Sequence, residues 1–245
     1  MSELGIIGGT GLTHMEQLEI VRREVVHTPF GEPSAAFIHG RLYGKEVVFL
    51  ARHGPGHTIP PHKINYRANI WAMDYIGVKR IIAVAAVGGI RADMVPARLA
   101  IPDQIIDYTW GRANTFFEDG EKVVHVDFTQ PYCPELRARL IEAARQLPYD
   151  VAESGCYAAT QGPRLETAAE VDRLERDGAD LVGMTGMPEA ALARELDLSY
   201  ATIAVVANRA AGRDSRPLTM EEIGKNLKVG MQRVRELLEV AIPML

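Results

Sequence analysis

The sequence predicts an α/β fold, a single domain over residues 1–245 with a central mixed β-sheet flanked by helices, and three observations carry that prediction. Short apolar runs recur along the whole chain, and several lack period-two alternation, as strands covered on both faces do. Stretches with apolar residues at helical spacing lie between them, and strands interleaved with helices define this class. No repeat, low-complexity tract or Pro/Ser-rich linker divides the chain, whose 245 residues suit one well-buried domain better than two.

In chain order, strands are expected at 4–7, 46–51, 80–87, 99–106, 155–159, 180–182 and 200–206. Helices are expected at 63–76, 134–146, 166–177, 188–196 and 219–242. The last places Ile223, Leu227, Met231, Val234, Leu237 and Leu238 on one face, with charges elsewhere. Thr219, followed three residues later by Glu222, forms a capping-box pattern at its start. In an open α/β sheet, ligands bind outside the carboxyl ends of the strands. Those ends read Gly8-Gly9-Thr10, Arg52-His53-Gly54, Ala86-Val87-Gly88, Met184-Thr185-Gly186 and Ala207-Asn208-Arg209. Small, polar and cationic residues at these points suit an anion and a sugar.

Composition excludes several function classes. With 47% hydrophobic residues, 24% charged residues and a net charge of −5, the chain carries no electrostatic footprint for nucleic acid or an anionic membrane. The two cysteines, Cys133 and Cys156, form neither a spaced metal motif nor a disulfide framework. Residues 1–4 lack the basic start of a signal peptide, and the longest apolar run, 81–87, is too short to span a bilayer. A cytoplasmic location is the expectation.

Gly8-Gly9-Thr10-Gly11 follows the first strand. Glycines let backbone N–H groups turn toward an anion, and threonine adds a hydroxyl. An ordinary glycine-rich turn reads the same way. The dinucleotide fingerprint fails, because His14 occupies its third glycine position, and no phosphate-loop lysine is present. Arg52 offers a planar fork of donors to phosphate oxygens and His53 a further donor, although a solvated basic loop has the same composition.

These residues carry a resemblance. Gly8-Gly9-Thr10-Gly11-Leu12, Arg52-His53-Gly54, Asn65-Tyr66-Arg67-Ala68-Asn69-Ile70-Trp71-Ala72 and Gly183-Met184-Thr185-Gly186-Met187-Pro188-Glu189 resemble the trimeric purine nucleoside phosphorylase family, in particular its methylthioadenosine branch. The resemblance runs from Gly8 to Asn208 in the family's order. It implies that Thr10, Arg52, His53, Ala86 and Thr185 bind phosphate and that Met184 lies against the ribose. It implies a homotrimer in which His125 reaches the neighbouring subunit's 5' pocket. It implies no metal or organic cofactor, inorganic phosphate being a co-substrate. Ala85 departs from the pattern, standing where the branch carries a phosphate-contacting threonine.

The base pocket departs further. Where the adenine-specific branch uses two aspartates one residue apart, this chain has Asn208-Arg209-Ala210. An asparagine amide can donate to the carbonyl of a 6-oxopurine while its own oxygen accepts from a protonated N7. Glu166, in Gly162-Pro163-Arg164-Leu165-Glu166, matches the glutamate that accepts the N1 hydrogen of 6-oxopurines. On spacing alone Glu166 reads as a first-turn helix acid; its agreement with Asn208 on one base makes it a ligand, with Leu165 beside it. The resemblance therefore implies phosphorolysis of 5'-methylthioinosine to hypoxanthine and 5-methylthioribose 1-phosphate. His53 would help to hold the attacking phosphate, Asn208 would stabilise the leaving base, and Glu166 would select it. Apolar residues of the last helix near Ile223 would line the 5' pocket. An inosine or guanosine phosphorylase would share Glu166 and Asn208. Asn208 and Ala210 disfavour a methylthioadenosine phosphorylase, and Arg52, His53 and Thr185 disfavour a non-catalytic nucleoside-binding protein.

Overall fold

The computed structural model describes residues 3–12, 17–118, 123–215 and 219–245; His14 lies outside these. Its strands are β1 Leu4–Gly8, β2 Glu19–Glu24, β3 Phe37–Leu42, β4 Lys45–Ala51, β5 Arg80–Gly89, β6 Leu99–Ala100, β7 Gln104–Asp107, β8 Val151–Ala152, β9 Cys156–Ala159, β10 Leu181–Gly183 and β11 Ser199–Arg209. The helices are α1 Tyr66–Tyr75, α2 Pro134–Ala144, α3 Ala168–Arg176, α4 Gly186–Glu195 and α5 Met220–Ala241. The strands join in one mixed sheet, and the α/β class is the one expected.

The main path through the sheet runs β2-β3-β4-β1-β5-β10-β9-β7, with β11 pairing β5 on its other edge and β6 and β8 following β11. The buried apolar run of β5 suits a strand with neighbours on both edges and packing on both faces. Two partners share one edge of β5. Parallel β1 pairs with Arg80 to Ala83, and antiparallel β10 pairs with Gly88 and Gly89. Between these partners, Val84 to Val87 have no strand beside them on that edge among the described residues. The opening lies at the carboxyl end of β1, and it is where the site forms.

On one face, α5 sets Leu227, Met231, Val234, Leu237 and Leu238 into a core with Ile6, Phe49, Ile82, Ile203 and Val205. This is the apolar stripe read from the sequence. Thr219 Oγ1 accepts from the Glu222 backbone N–H at 3.2 Å, as an N-cap should. On the other face, α1 and α4 cover Ile7, Leu50, Ile81 and Val206.

Three local expectations are corrected. The strand expected at 99–106 is two strands, β6 and β7, because Pro102 cannot donate to a ladder and the chain changes partners there, from β11 and β8 to β9. The helix expected from residue 166 begins at Ala168. Thr167 caps it, accepting from Glu170 N at 3.1 Å while the Glu170 carboxylate accepts from Thr167 N at 2.7 Å. Glu166 therefore stands outside the helix, not in its first turn. Finally, β2, β3 and β8 are strands where none is expected; Glu19–Arg23 of β2 are exposed and include three charged residues, so no apolar signal marks that strand.

Candidate active site

A cleft of about 580 Å³ opens at the carboxyl ends of β1, β4, β5, β10 and β11. It brings together Thr10, Arg52, His53, Ala86, Met184, Thr185, Leu165, Glu166, Asn208 and Ala210, which lie as far apart in sequence as 200 positions. Ala85 lines it too, as do Met220, Ile223 and Leu227 near the start of α5. His125 does not line this cleft; it is exposed on the same chain.

Arg52 follows β4 and is 1% exposed. Its Nε and Nη2 donate to the two carboxylate oxygens of Glu189, both at 2.7 Å, and Nη1 donates to the Val84 carbonyl at 2.9 Å. Val84 can accept because β1 has already left that edge of β5. The fork expected to face phosphate is thus turned onto Glu189. A guanidinium carries five N–H groups, so two remain after these three bonds. Burial opposes the charge on Arg52, but the Glu189 carboxylate outweighs it and raises the pKa above the usual arginine range. Glu189 lies on α4, is fully buried, and also accepts from Tyr200 Oη at 2.8 Å.

Gly9 makes this arrangement possible. A Cβ there would lie 2.5 Å from the Val84 oxygen and 2.8 Å from Arg52 Nη1. Gly9→Ala is therefore expected to cost about 1–3 kcal/mol through overpacking, read as a lower urea midpoint with unchanged slope.

His53 Nδ1 lies 2.8 Å from the Ile59 carbonyl, which can only accept, so Nδ1 carries the hydrogen. The donor expected from the neutral ring is committed there, and Nε2 is left as an acceptor. Burial and then the neighbouring Arg52 charge lower the His53 pKa to about 4. Between pH 6.5 and about 4 the unfolded chain binds a proton that the folded chain refuses, so stability is complete above this window and falls as pH drops through it. His39 and His57, also lowered chiefly by burial, act in the same direction. Acidification from about pH 7 to about pH 4.5 is expected to cost on the order of 2 kcal/mol through His53 alone, measurable as a shift in urea midpoint.

His57 packs on His53 with ring centroids 4.2 Å apart, and its Nε2 lies 3.4 Å from Thr10 Oγ1. Thr185 is the N-cap residue of α4, yet its side chain makes no capping bond. Its hydroxyl stays near a helix start, where backbone N–H groups favour an anion.

The two candidate base-reading residues, Glu166 and Asn208, are placed by a loop and a bulge. Thr160 Oγ1 donates to Glu166 Oε1 at 2.7 Å. Arg112 fixes the surrounding loops, donating to the carbonyls of Met184 at 2.8 Å, Met187 at 2.6 Å and Gln161 at 2.9 Å. In β11 the pairing with β5 shifts between Val206 and Asn208, an irregularity that re-aims the side chains beyond it. Asn208 Nδ2 donates to the Arg209 carbonyl at 2.7 Å, leaving its second N–H and its Oδ1 for a ligand. Arg209 itself donates to the Arg91 and Met94 carbonyls at 2.7 and 3.1 Å, tying this strand end to the loop after β5.

Glu189, Tyr200, Thr160, His57 and Arg112 hold the site together, and sequence reasoning assigns none of them a role. Glu189 leaves a usable signal: it is the only acid among the small and apolar residues at 183–193. Among the described residues no group of His, Cys, Asp and Glu could hold a metal ion.

A strand-end cleft that gathers a buried arginine, an asparagine and a glutamate is the arrangement of an α/β enzyme of the nucleoside-phosphorylase kind. Residues 3–243 match the phosphorylase superfamily, and the chain belongs to it. It is 53% identical to a probable S-methyl-5'-thioinosine phosphorylase of Xanthomonas campestris pv. campestris, over 96% of this chain and 95% of that protein. It is 48% identical to a 6-oxopurine nucleoside phosphorylase of Pyrococcus furiosus, over 100% of this chain and 94% of that one. The structure of methylthioadenosine phosphorylase from Schistosoma mansoni in complex with adenine superposes with a TM-score of 0.93 at 34% identity, covering 100% of this chain and 92% of that chain.

Proposed function

We propose that this protein cleaves the N-glycosidic bond of S-methyl-5'-thioinosine with inorganic phosphate, releasing hypoxanthine and 5-methylthioribose 1-phosphate. Asn208 and Glu166 meet in one cleft with Met220, Ile223 and Leu227, and this meeting carries the reading. The first two suit the donor and acceptor pattern of a 6-oxopurine, and the apolar trio suits a 5'-methylthio group. The 53% identity to a probable enzyme of this activity supports the same substrate.

Phosphate is held by Thr10, Arg52, His53 and Thr185, with the Ala86 main chain beside it. His53 Nε2, being an acceptor, accepts a hydrogen bond from a protonated phosphate oxygen, which keeps its proton. Another phosphate oxygen forms a bond to C1' as the bond from C1' to the purine nitrogen breaks. The ribose, lying against Met184, passes through an oxocarbenium-like state that the adjacent anion stabilises. The bonding electrons move onto the base, which becomes neutral hypoxanthine by taking one proton from solvent at N7. Asn208 meets the charge that builds on O6 and N7, and Glu166 accepts the N1 hydrogen. Holding the two reactants in line supplies much of the acceleration.

The active unit in this reading is a cytoplasmic homotrimer in which His125 completes a neighbouring 5' pocket. Exposed Trp110, Phe117, Val123 and Val126 lie in the same part of the sequence and suit burial against another subunit. No helix among the described residues is long and apolar enough to cross a membrane.

The 48% identity to a 6-oxopurine nucleoside phosphorylase makes inosine or guanosine the rival substrate. Phosphorolysis of methylthioinosine, inosine and methylthioadenosine, compared with and without phosphate, tests both readings. Phosphate-dependent preference for methylthioinosine is the expected result. Preference for inosine overturns the 5' assignment, and preference for methylthioadenosine overturns the roles of Asn208 and Glu166.

A further inference from the structure

The ion pair between Arg52 and Glu189 is a poor device for stability alone. Both side chains are buried, 1% and 0% exposed. A buried pair gains little over well-packed apolar residues of the same volume, because desolvation consumes most of the Coulombic attraction. What such a pair does supply is a fixed geometry. The Nε–Nη2 edge of Arg52 is held by two bonds of 2.7 Å, and the remaining nitrogen is held by Val84 at 2.9 Å. A planar group pinned on two sides cannot rotate, so the directions of its two free N–H groups are set. Nη1 occupies the space that a side chain at Gly9 would fill, next to Thr10 in the cleft wall.

Glu189 is placed to do this by its helix. It stands four residues after Thr185, the N-cap residue of α4. One short segment therefore carries both a cleft-lining hydroxyl and the carboxylate that aims Arg52 from the end of β4. Tyr200 of β11 donates to Glu189 Oε1 at 2.8 Å and fixes the carboxylate in turn. The chain of contacts runs from Tyr200 through Glu189 to Arg52, and of these three only Arg52 lines the cleft.

We propose that Glu189 is the positioning residue of the phosphate subsite: it holds Arg52 so that the guanidinium's free N–H groups meet phosphate, and Tyr200 holds Glu189. This rests on the phosphorolysis reading above. It assigns Glu189 a role in the use of phosphate and none in the choice of nucleoside.

The test is steady-state phosphorolysis with phosphate and methylthioinosine varied independently, for the wild type, Glu189→Gln and Tyr200→Phe. Glutamine keeps the shape of glutamate but only one acceptor oxygen. Glu189→Gln is expected to raise the KM for phosphate about tenfold or more while the KM for nucleoside stays within about twofold. Tyr200→Phe keeps the carboxylate and loosens it, so a rise of about two- to fivefold in the phosphate KM alone is expected. A purely structural pair predicts something else: lower thermal stability and less active protein, with both KM values unchanged in the folded fraction. That result, or equal changes in the two KM values, overturns the proposal. If Glu189→Gln does not fold, Tyr200→Phe decides, and an unchanged phosphate KM there overturns it. A wild type that turns over nucleoside without phosphate removes the functional reading itself, and the role of Glu189 falls with it. A wild type saturable in phosphate, beside variants with unaltered phosphate KM, removes only the role of Glu189.

Discussion

Asn208→Asp is expected to lower kcat/KM for methylthioinosine by about a hundredfold and to shift the preference between 6-oxopurine and 6-aminopurine nucleosides toward the latter. A carboxylate cannot donate to O6, so the variant loses that bond and sets two lone-pair-bearing oxygens against each other. The local structure adds to the loss. Asn208 Nδ2 donates to the Arg209 carbonyl at 2.7 Å, and an aspartate oxygen in its place would be repelled. Comparing kcat/KM for methylthioinosine and methylthioadenosine in both proteins checks this. Full 6-oxopurine turnover with an unchanged preference would show that Asn208 does not read the base.

Arg52→Met is expected to have the larger effect on stability, a loss of about 3–5 kcal/mol, because it leaves a fully buried carboxylate without its cation. Tyr200 still donates one hydrogen bond to Glu189, which compensates only in part. Adding Glu189→Leu removes the stranded charge, and the double variant is expected to recover most of the stability but none of the phosphate-dependent turnover. Urea midpoints for the three proteins, read beside phosphorolysis rates, separate the two roles of Arg52. A single variant as stable as the wild type would mean that Glu189 finds another partner or water.

The parts of the fold that depend on local burial are legible in the sequence. The strands at 4–7, 46–51, 80–87 and 200–206 announce themselves as apolar runs, and α5 by its stripe from Leu227 to Leu238. β2 escapes because an exposed edge strand needs no apolar face. The break at Pro102 is written in the sequence, but the change of partner that it permits is a long-range event. At the site the same division holds. Gly9, Arg52 and Asn208 follow or end strands, and strand ends can be found by pattern. Glu189 lies 137 positions from Arg52, and no local pattern joins them. Glu166 is a candidate through the resemblance, whereas spacing alone puts it inside a helix that Thr167 caps and that begins after it.

The extra residue in β11 separates the end of that strand from the interior it is built on. Up to Val206 the strand keeps step with β5, and the alternation of its side chains is dictated by the cores above and below. After Ala207 the phase is reset: Asn208 is opposite Gly88, a partner with no side chain to accommodate. The chemistry presented at position 208 is thereby uncoupled from the interior that supports it. In the role proposed for Asn208, a new base-reading group can be tried there while the strand pairing upstream stays in place.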